Sequence, residues 1–235
     1  MKISDVVDTS RDQKSAEVLN ELIEKDLSDA LGMRIQDTVL VFGAGHSLAK
    51  DAARVKSKQF HKCTTTIAAD GAALSLLEWG ITPDIIVTDL DGDVRAIIRA
   101  NKKGSCVVVH AHGDNIEKIK EVVPKLENVV GTTQTEPFGN LHNFGGFTDG
   151  DRCVFLAEHF GAGTIVLFGM DFGGEIGEYS GEYEKDIKIR KMELGKKLIE
   201  DLAARTGAAI LNATSGGNHI AHVPKIGINT LEGII

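Results

Sequence analysis

The sequence predicts a three-layer α/β fold on a mainly parallel, doubly wound sheet, with a helical extension at its N-terminus. Three observations carry that expectation. Short β-branched runs alternate with stretches of helical periodicity along most of the chain. The runs are apolar throughout, as strands covered on both faces require. The chain has 235 residues, 42% of them hydrophobic, which is enough apolar material for one large core. Together these describe a Rossmann-like arrangement.

The order begins with a helix. Val18, Leu19, Leu22, Ile23, Leu27, Ala30 and Leu31 recur at helical spacing across 13–31, and Gly32 is a stop signal. Residues 1–36 read as a helical extension packed on the core or on a partner chain, which leaves room for a homodimer. Residues 37–235 read as the α/β domain. Its strands are expected at 38–42, 64–69, 85–88, 105–110, 128–132, 164–168 and 208–211, where β-branched residues cluster. Its helices are expected at 47–55, 72–79, 93–101, 115–123, 149–160 and 187–206. The stretch 133–148 has no clear periodicity and carries Gly139, Gly145 and Gly146, so it reads as a functional loop or a lid.

Charge narrows the partners. Lys+Arg 26 against Asp+Glu 34 gives a net charge of −8 and a pI near 5.5. An acidic surface argues against general binding to nucleic acid or anionic membrane, both polyanions. Cys63, Cys106 and Cys153 are widely spaced and read as core residues, not a disulfide or zinc set. The N-terminus lacks the apolar segment of a signal peptide, and no run approaches the roughly 20 apolar residues of a membrane span. A cytoplasmic location is expected.

In a doubly wound sheet, ligands gather at the carboxyl ends of strands, so the residues following each strand are the candidates. Gly43, Gly45, His46 and Ser47 form a turn whose N–H groups could approach a phosphate of ATP, or a plain strand-to-helix turn with Ser47 as N-cap. Leu48 stands where a dinucleotide fingerprint has its third glycine. Asp70 and Gly71 follow the second strand, where an acid can hold a ribose hydroxyl or cap the next helix. Asp84, Asp89, Asp91 and Asp93 surround the third strand. Asp89 and Asp91, if extended, point the same way and could share a Mg²⁺, whose ligands are oxygens. His110, His112 and Asp114 follow the fourth strand; they could bind a transition metal or contact phosphate or a heterocycle. Asp149 and Arg152 open a helix, with Asp149 a further metal ligand or a first-turn acid. Asp171 ends the sixth strand. Lys191 and Lys196 are placed to reach ATP phosphates or to form a solvated face. Asn212, Thr214 and Ser215 form a polar cluster suited to phosphate or ring edges. No GxSxG elbow accompanies Ser215, which argues against a hydrolase triad.

The stretch Pro83 to Asp91, preceded by Ala69-Asp70-Gly71-Ala72, resembles the substrate-binding half of thiamin pyrophosphokinases. Thr148-Asp149, Gly161-Ala162-Gly163 and the strand after them look like that family's second acidic motif. Thr88 and Gly92 depart from its pattern. A longer resemblance, from about Val39 to Pro224, is to archaeal-type 6-hydroxymethyl-7,8-dihydropterin pyrophosphokinases. It rests on Gly43-Ala44-Gly45-His46-Ser47-Leu48, on Asp89-Leu90-Asp91-Gly92-Asp93, on His110-Ala111-His112-Gly113-Asp114-Asn115 and on Asn212-Ala213-Thr214-Ser215-Gly216-Gly217. That resemblance implies a catalytic domain over 37–235 that moves diphosphate from ATP to a pterin hydroxymethyl group, in tetrahydromethanopterin or folate biosynthesis. Asp89, Asp91 and Asp149 would hold Mg²⁺, Asp114 or Asp171 would accept a proton, and His110 and His112 would meet the substrate. A thiamin-type kinase, a nucleotide-sugar transferase, a nicotinamide oxidoreductase and a nucleotide-binding sensor stand as alternatives.

Overall fold

The structure, a computed structural model, describes residues 9–113, 115–173 and 185–235. Its strands are β1 (Thr38–Phe42), β2 (Thr65–Ala69), β3 (Ile85–Thr88), β4 (Cys106–Ala111), β5 (Val129–Thr133), β6 (Leu141–His142), β7 (Thr164–Phe168) and β8 (Ala209–Asn212). They form one eight-stranded sheet in the order β6-β5-β4-β3-β2-β1-β7-β8, with every pair parallel. The α-helices are α1 (Thr9–Leu22), α2 (Ser28–Gly32), α3 (Leu48–Lys58), α4 (Ala72–Glu78), α5 (Val94–Asn101), α6 (Ile116–Val122), α7 (Asp149–His159) and α8 (Lys185–Ala203).

The apolar strands sort their side chains by pleat into two cores. Leu40, Phe42, Ala68, Ile86, Val107, Val109, Val166 and Phe168 face α1 and α3 to α6. Val39, Val41, Ile67, Ile85, Val87, Val108, Val130, Ile165 and Leu167 face α7 and α8. Three layers follow, as expected from strands with no polar face. Phe42 and Phe168 are register partners on β1 and β7, so their rings stack at 5.3 Å.

From β1 the chain steps outward through β2 to β6, then returns to the other side of β1 for β7 and β8. The winding reverses between β1 and β7. Because every strand runs the same way, all carboxyl ends share one rim, and the polar residues after each strand are brought there together.

Two expectations change. The single helix over 13–31 is two helices, α1 and α2. Asp26 Oδ1 accepts the Ser28 N–H (2.8 Å), a local bond that competes with helix continuation, and Asn140 Nδ2 donates to the Ile23 carbonyl (2.8 Å) near the end of α1. The stretch 133–148, expected to lack regular structure, contains β6, which pairs with β5. Two residues are too short to show a period. Strand ends otherwise fall within a residue or so of expectation. Helix α1 packs on the core directly, with Ala16, Leu19 and Ile23 buried in it.

Removing the Phe42 ring leaves a cavity against Phe168 at the centre of the sheet. Phe42→Ala is expected to cost about 3–5 kcal/mol, read as a lower urea midpoint at unchanged slope.

Candidate active site

The rim gathers four carboxylates. Single oxygens of Asp70, Asp89, Asp91 and Asp149 all lie within 4.8 Å of one another. Asp70 follows β2, Asp89 and Asp91 follow β3, and Asp149 opens α7, which packs across β1 to β3.

Asp89 and Asp91 do not converge because they sit on an extended strand. β3 ends at Thr88, and Leu90 takes a left-handed conformation (φ +68°). Its side chain is driven into the core, fully buried, while the flanking carboxylates turn out to the rim. Asp91 N–H donates to Asp89 Oδ1 (3.1 Å) and Leu90 N–H to Thr88 Oγ1 (2.7 Å), which sets the turn. A left-handed leucine costs about 1–2 kcal/mol; burying its side chain returns about 1.5–3 kcal/mol, so the turn holds. Gly92 completes it by donating its N–H to Asp70 Oδ2 (2.7 Å), and a Cβ there would fall 2.8 Å from Asp70 Oδ1.

Asp70 therefore groups with the other carboxylates at the rim. Its Oδ1 is buried without a hydrogen-bond partner. Burial, then the side chain of Asp91 and the charge of Asp89, push its carboxyl well above the usual range. Asp149 is raised likewise, by burial first and then by the charges of Asp89, Asp70 and Asp91, with Arg152 opposing. Burial would raise Asp89 too, but the hydrogen bond and charge of His112 overcome it and hold Asp89 below the usual range. His112 Nε2 lies 3.4 Å from Asp89 Oδ2. Oxygen-only donors, crowded negative charge and an orphaned buried carboxylate oxygen together fit a hard divalent cation.

Asn115 aligns the ends of β3 and β4. Its Nδ2 donates to the carbonyls of Asp89 (2.8 Å) and His110 (2.7 Å), while its Oδ1 accepts from His112 N–H (3.1 Å) and Ser15 Oγ (2.9 Å). Helix α1 adds Asp12, which accepts from Gly113 N–H and Gln134 Nε2, both at 2.7 Å. His110 is buried and faces Thr132, and burial followed by the charges of Arg152 and His112 lowers its pKa well below the usual range. Among the described residues the only grouping of metal-binding atoms is the four carboxylates; neither histidine joins it. Asp114 lies outside the described residues.

Asp149 is positioned by a capping box. Asp151 accepts the N–H groups of Phe147 (2.5 Å) and Thr148 (2.9 Å) and the Thr148 hydroxyl. Arg152, one turn on, is buried and donates to the Phe147 carbonyl (3.0 Å).

A second polar knot sits where the winding reverses. The N–H groups of Gly43 and Gly45 donate to Phe168 O (2.9 Å) and Gly169 O (2.8 Å), so they bind β7 and are not offered to a phosphate as expected. Gly45 is glycine because a Cβ would fall on Asp171 Oδ2. Asp171 accepts from Ser47 N–H (3.0 Å) and lies 2.8 Å from Ser47 Oγ; His46 Nε2 stands 3.6 Å away. Beneath them is Asp51, a residue the sequence reading passed over. It is fully buried and accepts from Gly169 N–H (3.1 Å), Ser215 N–H (3.1 Å) and Arg54 Nη1 (3.0 Å), with Ser47 Oγ at 3.0 Å. Ser47 and Arg54 are near it in sequence, but its backbone donors, Gly169 and Ser215, lie more than 100 residues away, so no local pattern marks Asp51 as a brace. Asn212 and Thr214 are also spent on backbone: Asn212 Oδ1 accepts Thr214 N–H (3.0 Å), and Thr214 Oγ1 accepts Met170 N–H (3.2 Å). Ser215 Oγ is buried without a partner. Lys196 pairs with Glu200 on α8 (3.6 Å), and Lys191 precedes it on the same helix. Gly71 lies at the N-terminus of α4.

Fold and site together define a Rossmann-like α/β protein with a cation-suited carboxylate rim. A family model described as 6-hydroxymethylpterin diphosphokinase MptE-like matches residues 13–177, and the chain belongs to that family. Proteins named 6-hydroxymethyl-7,8-dihydropterin pyrophosphokinase are similar to it. The one from Methanocaldococcus jannaschii is 46% identical over 83% of this chain and 88% of its own. The one from Methanothermobacter thermautotrophicus is 50% identical over 71% of this chain and 70% of its own. The Pyrococcus furiosus protein is 45% identical over 85% and 88% respectively. Among solved structures, a MAf glycosyltransferase from Magnetospirillum magneticum shares the fold, with TM-score 0.56 and 18% identity over 84% of this chain. The present chain spans 34% of that chain's length. Among the described residues, no helix is long and apolar enough to cross a membrane.

A carboxyl whose folded pKa exceeds its unfolded value near ~3.9 costs stability above the folded pKa, and the cost fades as pH falls through it. The metal-free protein therefore gains stability from Asp70 and Asp149 as pH falls through their raised values toward the unfolded one. Asp149→Asn is expected to raise the metal-free Tm at pH 7, by about 2–4 °C per kcal/mol relieved, and to abolish the Tm rise on adding MgCl₂. Asp51→Ala strands the Gly169 and Ser215 N–H groups. A loss of about 2–5 kcal/mol is expected by urea unfolding at pH 7.

Proposed function

We propose that the chain transfers diphosphate from ATP to the hydroxymethyl group of 6-hydroxymethyl-7,8-dihydropterin, releasing AMP. The observation that carries this reading is the convergence of Asp70, Asp89, Asp91 and Asp149 at the strand rim, in a chain whose family is named for that chemistry. The substrates are small molecules, in keeping with a cytoplasmic enzyme of cofactor biosynthesis.

In the reaction one P–O bond forms between the pterin hydroxyl oxygen and the β-phosphorus. The bond from that phosphorus to the α,β-bridging oxygen breaks, and the bridging oxygen leaves with AMP. Such transfers need positioning and charge neutralisation more than covalent help. Asp70, Asp89, Asp91 and Asp149 would hold Mg²⁺, which when bound supplies neutralisation of the triphosphate and orients its oxygens. His112 keeps Asp89 ionised and aimed at the rim. Arg152 brings a buried positive charge beside Asp149. Asn115 holds the carbonyls after β3 and β4 in register, which sets the spacing between Asp89 and His110.

The nucleotide would lie toward the reversal of winding, against the turn of His46 and Ser47 and the segment of Ser215. There Asp171 orients Ser47 through Oδ2, while its Oδ1 is buried without a hydrogen-bond partner. Asp114 or Asp171 would accept the hydroxyl proton. Lys191 and Lys196 would serve the phosphates from α8, Lys196 by leaving Glu200.

The test is turnover with ATP, Mg²⁺ and 6-hydroxymethyl-7,8-dihydropterin, with nucleotides separated by chromatography. AMP in equal amount to a diphosphorylated pterin is expected; ADP as product, or no product, rejects the reading. Asp89→Asn and Asp91→Asn are each expected to lower turnover at least ~100-fold while circular dichroism is retained.

A further inference from the structure

At the reversal of winding, the turn after β1 and the segments after β7 and β8 spend their backbone donors on one another. The N–H groups of Gly43 and Gly45 go to the carbonyls of Phe168 and Gly169, that of Ser47 to Asp171 Oδ2, and those of Gly169 and Ser215 to Asp51. A phosphate seated here would find none of these donors open. Two oxygens are left over instead. Asp171 is 3% exposed, and its Oδ1 is buried without a hydrogen-bond partner; Ser215 Oγ is likewise buried and unpaired. Buried oxygens left in that state are satisfied by a ligand that brings hydrogen-bond donors.

The two oxygens border Gly216. A Cβ on that residue would overlap Asp171 Oδ1 and fall 2.8 Å from His46 Nε2, so the three groups meet at one point. The Ser215 N–H is held by Asp51 and the Gly216 carbonyl by Lys225 Nζ (2.8 Å), so backbone bonds fix this segment and the Ser215 hydroxyl has no task in the fold. His46 stands beside Oδ1, its Nε2 3.6 Å away and its side chain 41% exposed, against 0% for Asp171. Asp171 comes three residues after Phe168 at the end of β7, and Ser215 three after Asn212 at the end of β8. Both therefore lie on the rim beside the reversal, where a doubly wound sheet binds its ligands.

We propose that Asp171 Oδ1 and Ser215 Oγ are the subsite for a vicinal diol, the 2′- and 3′-hydroxyls of a ribose, reached as His46 swings outward. On the function proposed above, on which this inference rests, the ribose is that of ATP. One hydroxyl donates to Asp171 Oδ1, and its neighbour exchanges a hydrogen bond with Ser215 Oγ. A carboxylate oxygen repels phosphate, so the sugar takes this end and the triphosphate leads away from it. β2, which supplies Asp70, lies two strand spacings from β7, roughly 10 Å, the span left for the triphosphate to reach the cation. In this role Asp171 reads the sugar and transfers no proton.

The experiment measures Kd by calorimetry for ATP, 2′-deoxyATP and 3′-deoxyATP, with MgCl₂ present and the pterin absent. Wild type is expected to bind at least one of the deoxy nucleotides about tenfold or more weakly than ATP. No binding of ATP, or equal affinity for all three, overturns the subsite. This comparison needs no variant to fold. Ser215→Ala removes a hydroxyl that bonds to nothing in the protein. A several-fold loss of ATP affinity at unchanged Tm is expected; unchanged affinity overturns the pairing of the two oxygens. Asp171→Asn keeps an oxygen for the Ser47 N–H and sets an NH₂ where Oδ1 was. The preference for ATP over the deoxy nucleotide is expected to shrink several-fold, because the sugar hydroxyl loses its charged acceptor. A variant that loses turnover yet keeps the preference marks Asp171 as the proton acceptor and overturns the assignment. A hydroxyl preference without AMP formation strikes the proposed reaction alone; AMP formation without a hydroxyl preference strikes this subsite alone.

Discussion

Four carboxylates with oxygens within 4.8 Å of one another repel, and the surrounding rim is arranged to contain that repulsion. Leu90 anchors the turn between Asp89 and Asp91 by burying its side chain, which offsets a left-handed backbone. His112 offers Asp89 a partner of opposite sign when protonated. Gly92 brings an N–H to Asp70 at a distance no other residue would allow. The capping box of Thr148 and Asp151 points the first turn of α7 at the group. Each device is small. Together they keep crowded charge in place and leave Asp70 Oδ1 without a protein partner, the condition in which a cation is the best remaining ligand.

The rim is braced at two other points. At the reversal of winding, Asp51 draws together the turn after β1, the end of β7 and the segment after β8. A buried carboxylate is tolerated there because backbone N–H groups and Arg54 satisfy it. At the far side, α1 reaches the site through Ser15 and Asn115 and through Asp12 and Gly113. The helix at the start of the chain is thus coupled to Asp89 by two hydrogen bonds in series, Ser15 to Asn115 and Asn115 to the Asp89 carbonyl.

Much of this was legible in the residues. Apolar runs such as Thr38–Phe42 and Thr164–Phe168 announce parallel strands, and the acids after β2 and β3 announce a charged rim. What misled was local geometry inferred from pattern. Asp89 and Asp91 suggested an extended pair, but the buried Leu90 between them demanded a turn. Gly43 and Gly45 suggested a phosphate cradle, but their N–H groups are bound by β7. Asp26 and Ser28 broke a helix that hydrophobic spacing alone would carry through.

The sequence by itself determined the three layers, the strands and the chemical character of the rim, because these follow from short-range periodicity and from residue type at strand ends. Tertiary structure decided which acids meet and which are used up. β2 lies beside β3 in the sheet and α7 crosses over both, so Asp70 and Asp149 join Asp89 and Asp91; β7 returns beside β1, so Asp51 and one oxygen of Asp171 are engaged in holding turns. Those meetings depend on strand order and on contacts between residues far apart in the chain, which no local pattern encodes.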